Sequence, residues 1–296
     1  MKILPLAAVA ALITSAAFVS AAENTANLNQ SGAGNTANAD QSVAGTLNNL
    51  IDQTQDGSFN DAQAVQEQEN NSSIYQVQNG AYNEAYSYQW SGSDNVASIY
   101  QDGAGNEGYT YQLMEYGSSA TIRQTGFANT AHTYQAQGSD NSATIEQTGS
   151  FHNGSIYQFA SFNADASIIQ QGQGNAADID QAGIGHEATI IQAGGMNTAN
   201  IEQADVGNSA LIDQDGWANN ATIQQDAWYS EARVYQAGVG NNATIYQTGA
   251  YGYGGGHLAI TNQQGTLNEV LIIQSGYNET AITTQVGTGN TATIVQ

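Results

Sequence analysis

The chain has 296 residues, with 26 Asp or Glu against 3 Lys or Arg, a formal net charge of −23 at pH 7. A charge so one-sided repels nucleic acid and anionic lipid, so neither is an expected partner. Cysteine is absent, so no disulfide can support a weak core, and the one proline is Pro5.

In chain order, residues 1–22 read as a secretory signal peptide. Lys2 supplies a positive charge, an apolar run follows from Pro5 to Ile13, and Val19-Ser20-Ala21-Ala22 forms a small-residue exit. A retained membrane anchor is the alternative, weakened by Pro5, Thr14, Ser15 and Ser20. Cleavage after Ala22 or Ala21 removes Lys2 and leaves Arg123 and Arg233, so the formal charge becomes 2 − 26 = −24. The expected location is outside the cell, with no membrane insertion.

From Asn24 to Gln296 a short unit recurs, N-x-A-x-I-x-Q-x-G-x-G. Copies include Asn95-Val96-Ala97-Ser98-Ile99-Tyr100-Gln101 and Asn208-Ser209-Ala210-Leu211-Ile212-Asp213-Gln214. Aligned on glutamine, the early units fall at Gln30, Gln41, Gln53, Gln66, Gln76, Gln89 and Gln101, and the last at Gln296. Most steps are 11 or 12 residues. Residues 43–93 are less regular, and a 16-residue step from Gln247 to Gln263 suggests a turn insertion over 248–258.

Recurring residues at every second position mean a strand with Asn, Ala, Ile and Gln on one face. Glycines two and four beyond the glutamine, such as Gly103 and Gly105, supply turns with positive φ. The expected fold is all-β, a two-sheet β-solenoid of about 12 strand-turn-strand coils, residues 23–296, stacked as in a cross-β amyloid. Ala and Ile form a dry core. Stacked amides form ladders in which each side chain donates to one neighbour and accepts from the other. The candidate ladder residues are Asn95, Gln101, Asn106, Gln112, Asn141, Gln147, Asn175, Gln181, Asn208, Gln214, Asn241 and Gln247.

The run Gln236-Ala237-Gly238-Val239-Gly240-Asn241-Asn242-Ala243-Thr244-Ile245-Tyr246-Gln247 resembles the curlin repeat. That resemblance implies a subunit of curli, functional amyloid fibres on bacterial surfaces. It implies export through an outer-membrane curli channel, a nucleator subunit and a place in biofilm matrix. Familiar curli subunits carry about five repeats and a polar targeting segment before the first; here the repeats are more numerous and begin almost at the cleavage site.

Asn24, Gln30, Asn290 and Gln296 start and finish the pattern in register, so they are candidates for head-to-tail stacking into a homopolymeric fibre. Tyr88, Tyr111, Tyr134 and Tyr157 precede glutamines of alternate units and are expected to form an outward aromatic ladder, with Tyr75 and Tyr100 doing the same on the opposite sheet. Arg123 shares an outward track with Tyr100 and Glu146. His152, His186 and His257 take the Asn position, and His132 points outward. Neither histidine spacing nor the scattered outward acids (Asp40, Asp52, Glu146, Asp180, Glu202, Asp213) make a metal or calcium motif, so no cofactor is expected. No catalytic constellation can be placed, and the chain does not read as an enzyme. The rival is a monomeric secreted β-solenoid binding module, of ice-binding or adhesin type.

Overall fold

The computed structural model describes residues 23–42, 45–249 and 254–296. The signal-peptide reading, on residues 1–22, and the tip of the 248–258 insertion lie outside the described residues. The rest is an all-β solenoid of 24 strands, from β1 (Thr25–Ala33) to β24 (Thr291–Val295). Odd-numbered strands form one twelve-stranded parallel sheet and even-numbered strands the other. One strand of each makes a coil, so the stack has twelve coils.

Register follows from chemistry. Between β11 (Ser142–Ser150) and β13 (Asp165–Gln173), Ala143 lies over Ala166, Ile145 over Ile168 and Gln147 over Gln170. These inward side chains are buried and the alternate ones face out. The isoleucines are the largest fully buried side chains, each stabilising by about 1.5–3 kcal/mol on leaving water.

A column of glycines fixes the stacking. Gly57, Gly80, Gly103, Gly126 and Gly149 lie over one another with φ from 109° to 129°. A Cβ on Gly126 would sit 2.0 Å from the Gly149 carbonyl oxygen, so no other residue fits this close approach of backbones. Two positions later glycine is optional. Phe59, Tyr82 and Phe151 also adopt φ near 57° there, and their rings project outward, more than half exposed.

The glycine column corrects the alignment made from sequence. Gly57 and Gly80 place Gln55 and Gln78 in line with Gln101, while Gln53 and Gln76 pair with Ile99 in the core column. The steps from Gln55 through Gln66, Gln78 and Gln89 to Gln101 are then 11 or 12 residues throughout. Asn49 is likewise a regular member, six residues before Gln55. Most of the irregularity assigned to 43–93 is thus a choice of the wrong glutamine, and the long step that remains runs from Gln41 to Gln55.

The core is also less uniformly apolar than expected. Gln53, Gln76, Ser87, Thr110 and Thr133 are buried at isoleucine positions. Gln53 donates to Gln76 at 2.7 Å, Gln76 to the Ser87 hydroxyl at 3.1 Å, and Thr110 to the same hydroxyl at 2.9 Å. Hydrogen bonding among the first four offsets the lost burial there, whereas the Thr133 hydroxyl is buried without a partner. A later irregularity has a simple cause. β12 (Asn153–Phe162) bulges between Gln158 and Ser161 against β14 (Ala176–Ile184), where the coil shortens from 23 residues (Gln147 over Gln170) to 22 (Gln170 over Gln192).

Candidate functional site

The glutamine ladder has one direction. Each Nε2 donates to the Oε1 of the next coil toward the C-terminus: Gln101 to Gln124 and Gln112 to Gln135 at 2.9 Å, Gln147 to Gln170 at 2.8 Å, Gln181 to Gln203 at 2.9 Å, Gln214 to Gln236 at 2.8 Å and Gln247 to Gln274 at 2.9 Å. The second amide hydrogen reaches across the core to a carbonyl of the facing sheet, as from Gln101 to Glu84 and from Gln147 to Thr130. Both amide hydrogens and the amide oxygen are bonded, so the polar group is tolerated inside.

Asparagine acts differently from the side-chain ladder expected. Its shorter side chain reaches backbone. Oδ1 of Asn95, Asn141, Asn175 and Asn208 accepts from the N–H of the residue above at 3.0–3.1 Å. Each Nδ2 of these four donates to a carbonyl of the corner. Asn106 and Asn241 also donate to the asparagine of the coil before, at 3.1 Å, and Asn83, Asn129, Asn268 and Asn290 do the same at 2.9–3.1 Å, so side-chain links persist in two stretches of that column. These residues are corner braces. His152 substitutes by accepting the Asn175 N–H on Nδ1 while Nε2 faces the Thr148 carbonyl, so Nε2 carries the proton. Burial lowers the pKa of His152 and His186 and keeps both rings neutral at pH 7.

Two carboxylates lie where the sequence reading placed none. Glu69 and Glu115 are fully buried at one corner. Glu69 Oε2 accepts from the Ser72 hydroxyl at 2.7 Å, and Glu115 Oε2 from the Ser118 hydroxyl at 2.6 Å and Asn141 at 3.2 Å. Their Oε1 atoms lie beside Gly92 and Gly138, whose backbone N–H groups also help to hold the charged form. Burial pushes both carboxyls above their ordinary value, more than these bonds pull them down. The signal was in the sequence. Glu-x-x-Ser at Glu69 and Glu115 alternates coil by coil with Gly-x-x-Asn at Gly92 and Gly138, and the missing side chain of one coil makes room for the glutamate of its neighbour.

At the stack's edges, β1 and β2 (Thr36–Asp40) pair on one side only among the described residues, as do β23 (Thr280–Thr288) and β24. Gln30 and Gln41 donate inward to Gln55 and Gln66 at 2.6 and 2.7 Å, which leaves acceptor oxygens at that edge. Gln285 and Gln296 accept from Gln263 and Gln274 and spend one amide hydrogen each on Glu269 and Thr280 carbonyls, which leaves one donor each. Asn24 Oδ1 accepts the Asn49 N–H at 3.0 Å, and Asn290 donates to Asn268 at 2.9 Å.

On the outer face of the even sheet, rings of Tyr111 and Tyr134 lie 6.3 Å apart, and those of Tyr134 and Tyr157 stack at 4.8 Å. Tyr88 is in register with Tyr111, but its hydroxyl donates to Glu67 at 3.1 Å and Tyr86 makes the ring contact to Tyr111 at 5.5 Å. Burial and Glu67 push the Tyr88 phenol up to about 12. The second aromatic track is overturned: Tyr75 pairs with Ser98 and Tyr100 with Val77, because of the shifted glutamine alignment. Arg123 lies over Tyr100, 4.9 Å from the ring centroid. Among the described residues no three His, Cys, Asp or Glu converge as metal ligands. A threonine face is short: Thr121 and Thr144 are followed by Ser167, Thr189 and Leu211.

A family model, the curlin associated repeat, matches residues 117–149, 138–172, 163–194 and 172–204. Over those residues the chain carries curlin associated repeats. No curated protein matches the sequence. The matched repeats run from β9 (Ser119–Phe127) into β16 (Thr198–Val206). There the curlin core is filled by Ile122, Ile145, Ile156, Ile168, Ile179, Ile190 and Ile201, with Thr133 as the exception.

Proposed function

We propose that this curlin-repeat protein is a structural subunit, not an enzyme, that is secreted and polymerises head to tail into extracellular curli-like amyloid fibres. As a pilus-like cell-surface fibre it would serve biofilm matrix and adhesion. The observation that carries the reading is the complementarity of the two edges. Glutamine donors remain at β23 and β24, and glutamine acceptors at β1 and β2. A second copy seated with Gln30 over Gln285 and Gln41 over Gln296 continues both ladders, with Ala26 over Ala281 and Ala37 over Ala292. Such a contact is heterologous and does not close, so it propagates as a filament. Partners beyond the chain itself are a nucleator subunit and an outer-membrane curli export channel. The net charge opposes stacking and should keep unassembled copies soluble, and assembly should quicken toward the sequence pI near 4.1.

The test is seeded assembly of the purified protein diluted from denaturant. Fragments of preformed fibres should abolish the lag, and the fibres should diffract at ~4.8 and ~10 Å. A β-rich protein that stays monomeric with seeds present would overturn the reading.

A further inference from the structure

The even sheet carries a second feature that end-to-end stacking neither uses nor covers. On β6 (Glu84–Trp90), β8 (Glu107–Leu113), β10 (Thr130–Ala136) and β12, outward tyrosines occupy two adjacent columns. Tyr86 and Tyr109 stand in one, the second capped by His132, whose ring stacks on Tyr109 at 4.7 Å. Tyr88, Tyr111, Tyr134 and Tyr157 stand in the other.

Beside this aromatic field runs a column of like charges. Asp61 on β4 (Asp61–Glu67) lies over Glu84, and Glu84 over Glu107. Carboxylates directly opposite on neighbouring strands destabilise a sheet, and no basic side chain answers them. The Asp61 Oδ1 atom is buried without a partner, and burial together with Glu84 raises the Asp61 carboxyl. Arg123 and Arg233, the basic residues of the described chain, are on the odd sheet, one on Tyr100 and the other paired with Glu231. His132 is held toward its neutral form by burial.

The geometry points to a docking face on β6, β8, β10 and β12 for an extended, arginine-rich polypeptide. Charge selects the occupant. A second copy of this chain would bring its own carboxylates against Asp61, Glu84 and Glu107, and a neutral polymer would leave that column uncompensated. A guanidinium stacks flat on a phenol ring while its N–H groups bond a carboxylate at the rim. The chain shows the first half of that contact on its other sheet, where Arg123 covers Tyr100.

The probe is fluorescein-labelled nona-arginine, titrated with the full-length protein, monomeric or assembled, and read by anisotropy. Saturable binding is expected, weakened about three- to tenfold by Glu84→Gln with Glu107→Gln, by Tyr86→Thr with Tyr111→Thr, and by nona-lysine in place of nona-arginine. Asp213→Asn with Asp215→Asn removes the same charge from the opposite sheet and should leave binding unchanged. Hydroxyl-radical footprinting of the unmodified protein provides a readout independent of any variant, with Tyr86, Tyr111 and Tyr134 protected by the peptide and Tyr75 not. Equal loss in the opposite-sheet control, or footprinting protection spread over both sheets, would overturn the assignment in favour of diffuse charge attraction. Binding of a neutral polysaccharide that ignores Glu84→Gln would overturn it in favour of plain aromatic stacking. Because the face runs along the stack, a failure of fibre growth leaves this result readable.

Discussion

Replacing Gln147 with Glu changes one nitrogen for one oxygen and nothing in volume, so its whole effect is electrostatic. Gln147 is 1% exposed. Its Nε2 bonds Gln170 Oε1 at 2.8 Å and the Thr130 carbonyl at 2.9 Å. A carboxylate oxygen in that place faces two acceptors, each left unpaired at about 1–3 kcal/mol, so roughly 2–6 kcal/mol is lost before the burial of charge is counted. A protonated carboxyl restores one donor and recovers about half. The folded-state pKa of the new group must therefore rise above its unfolded value near 4.3. By linkage, the destabilisation is smallest below that value and grows as pH rises through the folded pKa. Gln147→Leu strands the same acceptors without charge and should cost a similar amount at every pH. A twelve-coil stack need not unfold in one step, so the assay is amide hydrogen exchange read strand by strand at pH 4 and pH 8. Protection in β9, β11 and β13 should drop for Gln147→Glu more at pH 8 than at pH 4, while β21 (Leu258–Thr266) holds. Wild-type protection at pH 8, or matching behaviour of the Glu and Leu variants at both pH values, would refute the ladder energetics.

Glu115→Gln tests the buried corner carboxyl in the opposite sense. Its raised pKa means the folded state holds the proton more tightly, so the wild-type corner is most stable below the ordinary value of 4.5 and loses stability as pH climbs through the folded pKa. The glutamine variant should gain protection over wild type at pH 8 and show no gain at pH 4, again by hydrogen exchange at β8 and β9. Gly126→Ala and Gly105→Ala separate conformational strain from contact. Gly105 has φ of 65° with nothing within 4 Å of an added Cβ, so alanine there should cost about 1–2 kcal/mol. At Gly126 the added carbon meets the Gly149 carbonyl at 2.0 Å. The cost should then exceed about 3 kcal/mol, enough to be seen as loss of soluble folded protein or a large fall in melting temperature.

Period-two alternation and the 11- or 12-residue step made the two-sheet stack legible, because each coil repeats the same inward Ala, Ile and Gln. Where a unit offered two glutamines, that signal was ambiguous. Gln53 and Gln55 differ by two and both point inward, so alternation cannot choose between them; the crowded glycine at Gly57 does. Asparagine was read as a second side-chain ladder because it recurs like glutamine, yet one fewer methylene puts its amide beside backbone. Glu69 and Glu115 were hidden because acidic residues at turns read as solvated. Their burial depends on Gly92 and Gly138 in adjacent coils, a relation between units and not within one.

That relation addresses the central hazard of a repeat, a slip by one whole coil. Ala, Ile and Gln would match as well after the slip as before, so the consensus alone cannot forbid it. The departures can. A Cβ at Gly92 would lie 3.0 Å from Glu69 Oε1 and 2.6 Å from Asn95 Nδ2, and one at Gly138 would lie 3.1 Å from Glu115 Oε1. Glutamate therefore stacks beside glycine and cannot stack beside glutamate. In the same coils the chain of bonds from Gln53 through Gln76 and Ser87 to Thr110 holds only in this order; a slipped coil would set one of these polar groups against isoleucine with no partner, at about 1–3 kcal/mol. This polar seam separates a small apolar cluster around Ile51 and Ile74 from the main one, and it lies next to the long step from Gln41 to Gln55. The residues that break the repeat consensus thus define the coil order that the consensus leaves degenerate.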